Sequence, residues 1–286
     1  METLNRIEEY LSKEFFYDDF FQLYSFTTEN INGYMSLFDL KGKTLLTVGS
    51  SSDQAINASL AGCNDITVYD ICPLTKYFYY LKISSLLVLD REEFLKFLCK
   101  TKYQEGREYN PHLLTKKTFN KIKNTLKYLD YESFYIWEHI FGNYSRKDIE
   151  KLFRRDINNL ESIVYCNRYL KSDYNYYYAR QTIMNCLINF VNGDISKIIF
   201  NKKFDNIWLS NIAQYLKYND VIHMVENVSN LLNIDGKILL CYFWNTSMTI
   251  KGFPIEALSS FNATKINIHG LSRKDDKNSI LVYTKK

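Results

Sequence analysis

The chain has 286 residues, a net charge of +4, and a composition that is 46% hydrophobic and 16% aromatic. That length and apolar share suit one large domain, or one domain with an insertion, and exclude wholesale disorder. Only 3 Pro and 10 Gly argue against a loop-rich sandwich, collagen-like repeats or flexible linkers, and 36 basic against 32 acidic residues do not demand a polyanionic partner.

Residues 4 to 24 repeat Leu4, Ile7, Tyr10, Leu11, Phe15 and Phe16 on one helical face. Residues 1–40 therefore read as an N-terminal helical cap. Thr44 to Val48 (TLLTV) is a short, continuous apolar run, the pattern of a buried parallel strand, and Gly49 breaks it. Ser50 to Asp53 supply helix-capping chemistry for a helix from Gln54 to Ala61. Asp65 to Tyr69 is a second strand ended by Asp70. Pro73 suits the first turn of a helix running to about Leu89, followed by another over Arg91 to Cys99.

Residues 101–173 are charged and helical, with short amphipathic segments at Lys117 to Leu129, Tyr131 to Phe141 and Arg146 to Phe153. They read as an insertion within a single domain spanning 1–286, serving as a substrate lid or simply packing as helices. A helix from Tyr174 to Cys186 leads into strand-like Ile188 to Val191, and Phe204 to Leu209 is a further strand. A helix over Asp220 to Leu232, capped by Asn219 or Asp220, precedes an Asp235-Gly236 turn and the strong apolar strand Lys237 to Phe243. Thr264 to Ile268 and Ser279 to Tyr283 form a terminal antiparallel pair. The expected fold is α/β: a mostly parallel seven-stranded Rossmann-like sheet with an antiparallel C-terminal pair, covered on both faces by helices.

The N-terminus lacks an apolar signal core, and the longest apolar runs fall short of a membrane span. Six scattered cysteines without a CxxC pair read as reduced thiols of a cytoplasmic protein. The four histidines have no metal-ligand spacing, so no metal is expected. The tyrosine and phenylalanine excess has its plainest cause in AT-rich coding.

In open α/β sheets the ligand lies beyond the carboxyl ends of the strands. Gly49, Ser50, Ser51, Ser52 and Asp53 follow the first strand. A glycine there permits close ligand approach, and the helix amides beyond can hold an anion. Asp70, with Ile71 beside it, follows the second strand 21 positions after Gly49, the spacing of a ribose-binding acid. Asp194 follows the third, placed to accept from an adenine amino group, with Ile195 placed to pack on the ring. Ser210 and Asn211 follow the fourth, where a reacting group or acceptor would lie. Each has a plainer reading: Gly49 as a turn, Asp70 and Asp194 as helix caps, Ser210 and Asn211 as local backbone partners.

The run G-S-S-S-D-Q has one glycine, not the G-x-G-x-x-G of a dinucleotide fold, and no P-loop is present. Such a turn suits S-adenosylmethionine, whose amino-acid end carries an ammonium and a carboxylate. Asp53, or Glu29 upstream, would pair with the ammonium. Tyr24 or Glu29 would cover that end.

With these residues in place, the segment TLLTVGSSSDQAINASLAGCNDITVYD resembles the first two motifs of the class I S-adenosylmethionine-dependent methyltransferase superfamily. More narrowly, YDICPLTKYFYYLKISSLLVLDREEFLKFL is similar to the family that includes diacylglycerol 3-amino-3-carboxypropyltransferases. The matching features are Asp70 and Pro73, Leu81 and Lys82, Glu93-Phe94-Leu95, and later Asp205 to Ile212. The similarity spans residues 24–100 and 186–243, and Ser52 stands where such relatives often carry glycine.

This resemblance implies S-adenosylmethionine as cofactor and group transfer to a small-molecule acceptor: methyl transfer first, 3-amino-3-carboxypropyl transfer as the alternative. The absence of an N/D-P-P-Y-type run after the fourth strand argues against methylation of an exocyclic base amine. Two other readings stay open. One is a catalytically silent cofactor-binding scaffold. The other is nucleic-acid modification through a basic helix face at Lys116, Lys117, Lys121, Lys123 and Lys127, whose plainer reading is a solvated surface. The cluster Tyr174, Tyr176, Tyr177 and Tyr178 would close the acceptor pocket or pack as ordinary helix.

Overall fold

A computed structural model describes residues 2–12, 23–99, 113–153, 160–242, 261–269 and 277–286. Strand β1 (Thr44–Val48) lies inside a seven-stranded sheet, third from one edge. It pairs in parallel with β2 (Asp65–Asp70) on one side and β4 (Phe204–Trp208) on the other. Outside β2 is β3 (Leu187–Asn192), also parallel, and outside β4 is β5 (Leu232–Tyr242), parallel again. Strand β7 (Lys277–Lys285) runs antiparallel to β5 and carries β6 (Phe261–His269) antiparallel at the edge. The order is β3-β2-β1-β4-β5-β7-β6. The expected seven-stranded α/β sheet is present, with the last strand seated between β5 and β6.

The apolar runs follow from burial on both faces. Leu45 and Leu46 of β1 are both fully buried but point to opposite sides. Leu45 joins a large cluster with Ile66, Val68, Trp208 and Leu239. Leu46 joins a smaller one with Tyr69, Ile207, Ile238 and Leu240. Helices α3 (Asp53–Leu60) and α4 (Leu74–Val88) cover the first face, and α11 (Tyr218–Ser229) the second.

Before β1 come α1 (Glu2–Ser12) and the single turn α2 (Ile31–Tyr34). The remaining helices of the first face are α5 (Arg91–Leu98), α6 (Lys116–Leu129), α7 (Tyr131–Asn143), α8 (Arg146–Lys151), α9 (Leu160–Cys166) and α10 (Asp173–Met184). The insertion helices share the core of the sheet: Phe119, Ile122, Trp137 and Ile163 lie in the same cluster as Leu45. Trp137 Nε1 donates to the Tyr77 carbonyl of α4 at 2.9 Å, and the Leu23 amide donates to the Leu152 carbonyl at 2.8 Å. Among the described residues no helix is long and apolar enough to cross a membrane.

Several local expectations are corrected. The first helix is described only as far as Ser12, and 13–22 fall outside the described residues. Helix α11 starts at Tyr218 after Lys217, with no side-chain cap, so neither Asn219 nor Asp220 caps it. It ends at Ser229, and β5 begins at Leu232, where helix was expected. Asp235-Gly236 is a bulge inside the strand, not a turn before it. Asp235 has φ 61, and a Cβ on Gly236 would stand 2.8 Å from the Asn233 carbonyl oxygen. Residues 195–197 form a turn, so Asp194 caps no helix.

One charged side chain is placed where the sheet face, the upstream segment and the insertion meet. Lys82 of α4 is fully buried. Its Nζ donates to the Ser25 and Ser51 carbonyls, both at 2.8 Å, and pairs with Asp53 Oδ1 at 2.5 Å. It also stands 4.4 Å from the centre of the Phe26 ring. Removing one partner of such a pair leaves an uncompensated buried charge. Lys82→Met is therefore expected to destabilise the protein by about 3–5 kcal/mol, read by urea unfolding. Lys82→Met combined with Asp53→Asn should cost less than Lys82→Met alone, and an equal or greater loss would contradict the charge argument.

Candidate functional site

The chain runs outward from β1 through β2 to β3, then returns to β4 on the other side of β1. In open α/β sheets such a reversal marks the carboxyl ends of the two strands, here β1 and β4, as the place where a ligand binds. The loop after β1 is fixed by the end of β2. The Gly49 amide donates to the Tyr69 carbonyl at 2.8 Å, and the Ser50 amide donates to Asp70 Oδ2 at 2.7 Å. Asp70 Oδ1 accepts from the Cys72 amide at 2.8 Å. Burial pushes the Asp70 carboxyl up from its ordinary range, while the amides of Cys72 and Ser50 pull it back.

The loop turns through two left-handed serines, Ser50 at φ 40 and Ser52 at φ 68. Ser52 thus keeps a glycine-like backbone at a cost of about 1 kcal/mol. It occupies the position before α3 without a side-chain cap, so the expected capping by this loop is corrected. Its Oγ is buried with no hydrogen-bond partner among the described residues, as are Gln54 Oε1 and Tyr69 OH.

Gly49 has a packing reason to be glycine. A Cβ there would stand 2.2 Å from Thr75 Cγ2 and 3.0 Å from Asp70 Oδ2. The backbone of β1 passes hard against the first turn of α4, so a larger residue disturbs the fold before it meets any ligand.

Asp53 is not open to a ligand ammonium, which corrects that part of the sequence reading. It is fully buried. Oδ1 takes Lys82 and the Tyr169 hydroxyl (2.8 Å), and Oδ2 takes the Thr27 amide (2.6 Å) and Ser51 Oγ (2.9 Å). Beside it, Asn57 Nδ2 donates to Asn167 Oδ1 at 2.9 Å, and Asn57 Oδ1 accepts from the Arg168 amide at 2.8 Å. Residues 167–169, at the end of the insertion, thus brace α3.

Glu29 and Ser210 lie far apart in sequence and meet in the fold. Glu29 is 3% exposed. Its Oε1 accepts from Ser210 Oγ, and its Oε2 accepts from the Tyr34 hydroxyl at 2.9 Å. Cys241 Sγ stands 3.9 Å from Oε2. Burial raises the Glu29 carboxyl to about 7, against donors on Tyr34, Gln54 and Cys241 that pull the other way. Ser210 Oγ is also 3.3 Å from Asn211 Oδ1.

Asp194 lies beyond β3, where its Oδ1 accepts from the Ser196 amide (3.0 Å) and hydroxyl (2.8 Å) and its Oδ2 stands 3.4 Å from Lys197. Ile195 is buried in the cluster that contains Tyr69, and Ile71 is half exposed. The Tyr174–Tyr178 cluster lies away from the strand ends. The Tyr176 hydroxyl donates at 3.0 Å to the carbonyl of Leu89, which follows the last turn of α4, and Arg91 pairs with Asp173. Helix α4 begins at the carboxyl end of β2 and ends at the opposite edge, where Tyr176 is buried while Tyr174, Tyr177 and Tyr178 lie largely on the surface. On α6, Lys121 pairs with Glu93 and Lys123 with Glu138, while Lys127 lies over the Phe134 ring. Of the five lysines on this face, Lys121 and Lys123 thus have acidic partners.

The sequence reading named Lys82 only as a matching feature of a resemblance, without a role, and left Tyr169, Tyr34, Gln54, Cys241 and Tyr69 unmarked as site residues. A second signal for Lys82 is its place as a lone charge inside the apolar run YFYYLKISSLLV. Nothing in the spacing ties Glu29 to its partners.

No family model matches the chain, and no curated protein matches it by sequence. Solved structures resemble it in fold. The glycopeptide N-methyltransferase MtfA with S-adenosyl-L-homocysteine is 8% identical over 93% of this chain and 92% of its own, with a TM-score of 0.45. The N-methyltransferase NodS from Bradyrhizobium japonicum WM9 with the same ligand is 10% identical over 100% and 99%, TM-score 0.43. Magnesium protoporphyrin IX methyltransferase from Synechocystis PCC 6803 with bound S-adenosylmethionine is 9% identical over 100% and 79%, TM-score 0.42.

Two measurements check this geometry. Gly49→Ala should destabilise the fold by about 1–3 kcal/mol through the Thr75 contact. Adding Thr75→Ser, which removes the obstructing methyl, should recover part of the loss in urea unfolding, and no recovery would place the strain elsewhere. The second concerns pH. The folded-state carboxyl of Glu29 sits near 7 against an ordinary 4.5, so its contribution to stability is full below about 4.5 and is lost as pH rises through 7. Between pH 5 and 8 the wild-type melting temperature should fall further than that of Glu29→Gln. Asp70 shifts in the same direction and leaves a residual slope in both. Parallel curves would refute the assignment to Glu29.

Proposed function

We propose that the chain is an S-adenosylmethionine-dependent group transferase acting on a small-molecule acceptor, with methyl transfer as the leading chemistry and 3-amino-3-carboxypropyl transfer as the alternative. The observation that carries this reading is Asp70. Its carboxylate brackets the Gly49–Ser52 loop at the carboxyl end of β1 and uses one backbone amide on each oxygen. A carboxylate has about four acceptor positions, and in this reading the two ribose hydroxyls compete for them with the Thr75 hydroxyl and the Ile71 amide, which also lie against Asp70. Ser52 Oγ, Gln54 Oε1 and Tyr69 OH, partnerless among the described residues and beside the same strand ends, fit a polar ligand that completes them.

In this reading Gly49, Ser50 and Ser51 shape the loop against the cofactor's amino-acid end. Asp194, Ile195 and Ile71 flank the adenine. Ser210 and Asn211 orient the acceptor. The cofactor supplies a carbon activated by the adjacent sulfonium. The chain's own task is to hold the acceptor in line, at about 3 Å, and to exclude water. The end of the insertion, through Asn167 and Tyr169, acts as a fixed wall that braces α3.

Asp70→Asn should weaken S-adenosylmethionine binding by about 1–3 kcal/mol, roughly five- to 150-fold, in calorimetric titration. Unchanged affinity with lowered stability would make Asp70 a loop bracket only. Mass analysis of the spent cofactor then separates the chemistries, with S-adenosylhomocysteine for methyl transfer and methylthioadenosine for aminocarboxypropyl transfer. Binding without turnover over broad acceptor pools would support a silent scaffold instead.

A further inference from the structure

Glu29 is an acid buried among neutral donors. Tyr34, Ser210, Gln54 and Cys241 face it, and among the described residues no cation is paired with it. The other titratable groups that feel its field, Tyr69 and Cys166, are neutral near pH 7, because burial drives both upward. Glu29 is covered, at 3% exposure, and Ser210, two residues beyond the end of β4 and itself 5% exposed, is its partner on that side. Ser210 is held there by a left-handed backbone at φ 58 and by the Cys241 amide, which donates to its carbonyl at 2.7 Å. The Ser210 hydroxyl gives its one proton to Glu29, so its lone pairs are left to receive a proton from a molecule seated beyond β4.

We infer that Ser210 and Glu29 form a proton relay serving the acceptor, and that the acceptor is therefore an alcohol, a phenol or an amine that must lose a proton on alkylation. This rests on the cofactor reading above. The acceptor oxygen or nitrogen gains a bond to carbon as the carbon–sulfur bond opens and its electron pair stays on sulfur. The acceptor's O–H or N–H bond breaks, that proton passes to Ser210 Oγ, and the Ser210 proton passes to Glu29 Oε1. Glu29 ends as a neutral acid, the form its burial favours. With its carboxyl near 7, Glu29 populates both proton states at neutral pH, as a proton acceptor should.

Glu29 is tested as the end of the relay and against the alternative that it binds the cofactor's ammonium. In carboxyl-labelled protein, with the signal assigned by Glu29→Gln, its titration should stay near neutral when S-adenosylhomocysteine is bound. A drop into the ordinary carboxylate range on binding would mean an ion pair with the ammonium and would overturn the relay. Turnover of S-adenosylmethionine with glycerol, catechol and tyramine as acceptor probes should rise with pH through 7. Glu29→Gln and Ser210→Ala should each lower kcat at pH 8 by roughly a hundredfold or more, with the cofactor Kd changed less than about twofold. A weakened Kd with kcat intact, or alkylation confined to thiols or to none of these probes while the cofactor binds, would overturn the proposal. If S-adenosylhomocysteine fails to bind the wild-type chain, the cofactor reading fails first and the relay falls with it.

Discussion

The buried pair of Lys82 and Asp53 is the constraint on which the rest of the site depends. An ammonium and a carboxylate taken fully out of water are tolerated only when their remaining valences are met. Here they are met by the chain's own turns: the carbonyls of Ser25 and Ser51 on Lys82, and Thr27, Ser51 and Tyr169 on Asp53. The partners come from the segment before β1, the loop after it, helix α4 and the end of the insertion. Satisfying one charged pair therefore fixes where four separate pieces of chain can lie. The Gly49–Ser52 loop is held from below by Lys82 and from the side by Asp70, which sets its left-handed serines before any ligand arrives.

The fold was legible because its signal is short-range. TLLTV, DITVY and KILLCYF are continuous apolar runs because both faces of a central parallel strand are covered. Gly49, Gly62 and Gly236 mark where the backbone must bend or pass close to a neighbour. Boundaries slipped where local chemistry misled. Asp235-Gly236 has turn composition, yet the strand absorbs it as a bulge, because β5 can begin pairing with β4 at Leu232 and resume at Lys237. Asn219 and Asp220 have capping chemistry but fall inside α11, whose start is set by the packing of Val221, Met224 and Val225 on the sheet.

The site was only partly legible, for a physical reason. Placement after a strand's end was readable, and it located Gly49, Asp70, Asp194 and Ser210. What a side chain does there depends on contacts across the fold. Asp53 looks like Glu29 in sequence, an acid near the first strand, but a lysine 29 positions later neutralises it. Gly49 looked like room for a ligand, while Thr75 fills the space. The tyrosines at 174–178 looked like a lid only because the direction of α4, and hence the end at which Leu89 sits, is invisible before the sheet is assembled.

The contrast between the two buried acids carries the functional argument furthest. Burial disfavours both carboxylates, and the fold treats them differently. It supplies Asp53 with a cation and three further donors, which makes it a structural post. It surrounds Glu29 with neutral donors, which leaves the charge unsettled near neutral pH. An unsettled charge brings little rigidity, so its value lies in changing. The side of Glu29 on which that change can be used is the side of Ser210, at the carboxyl end of β4, where the sheet's reversal marks the place for a ligand.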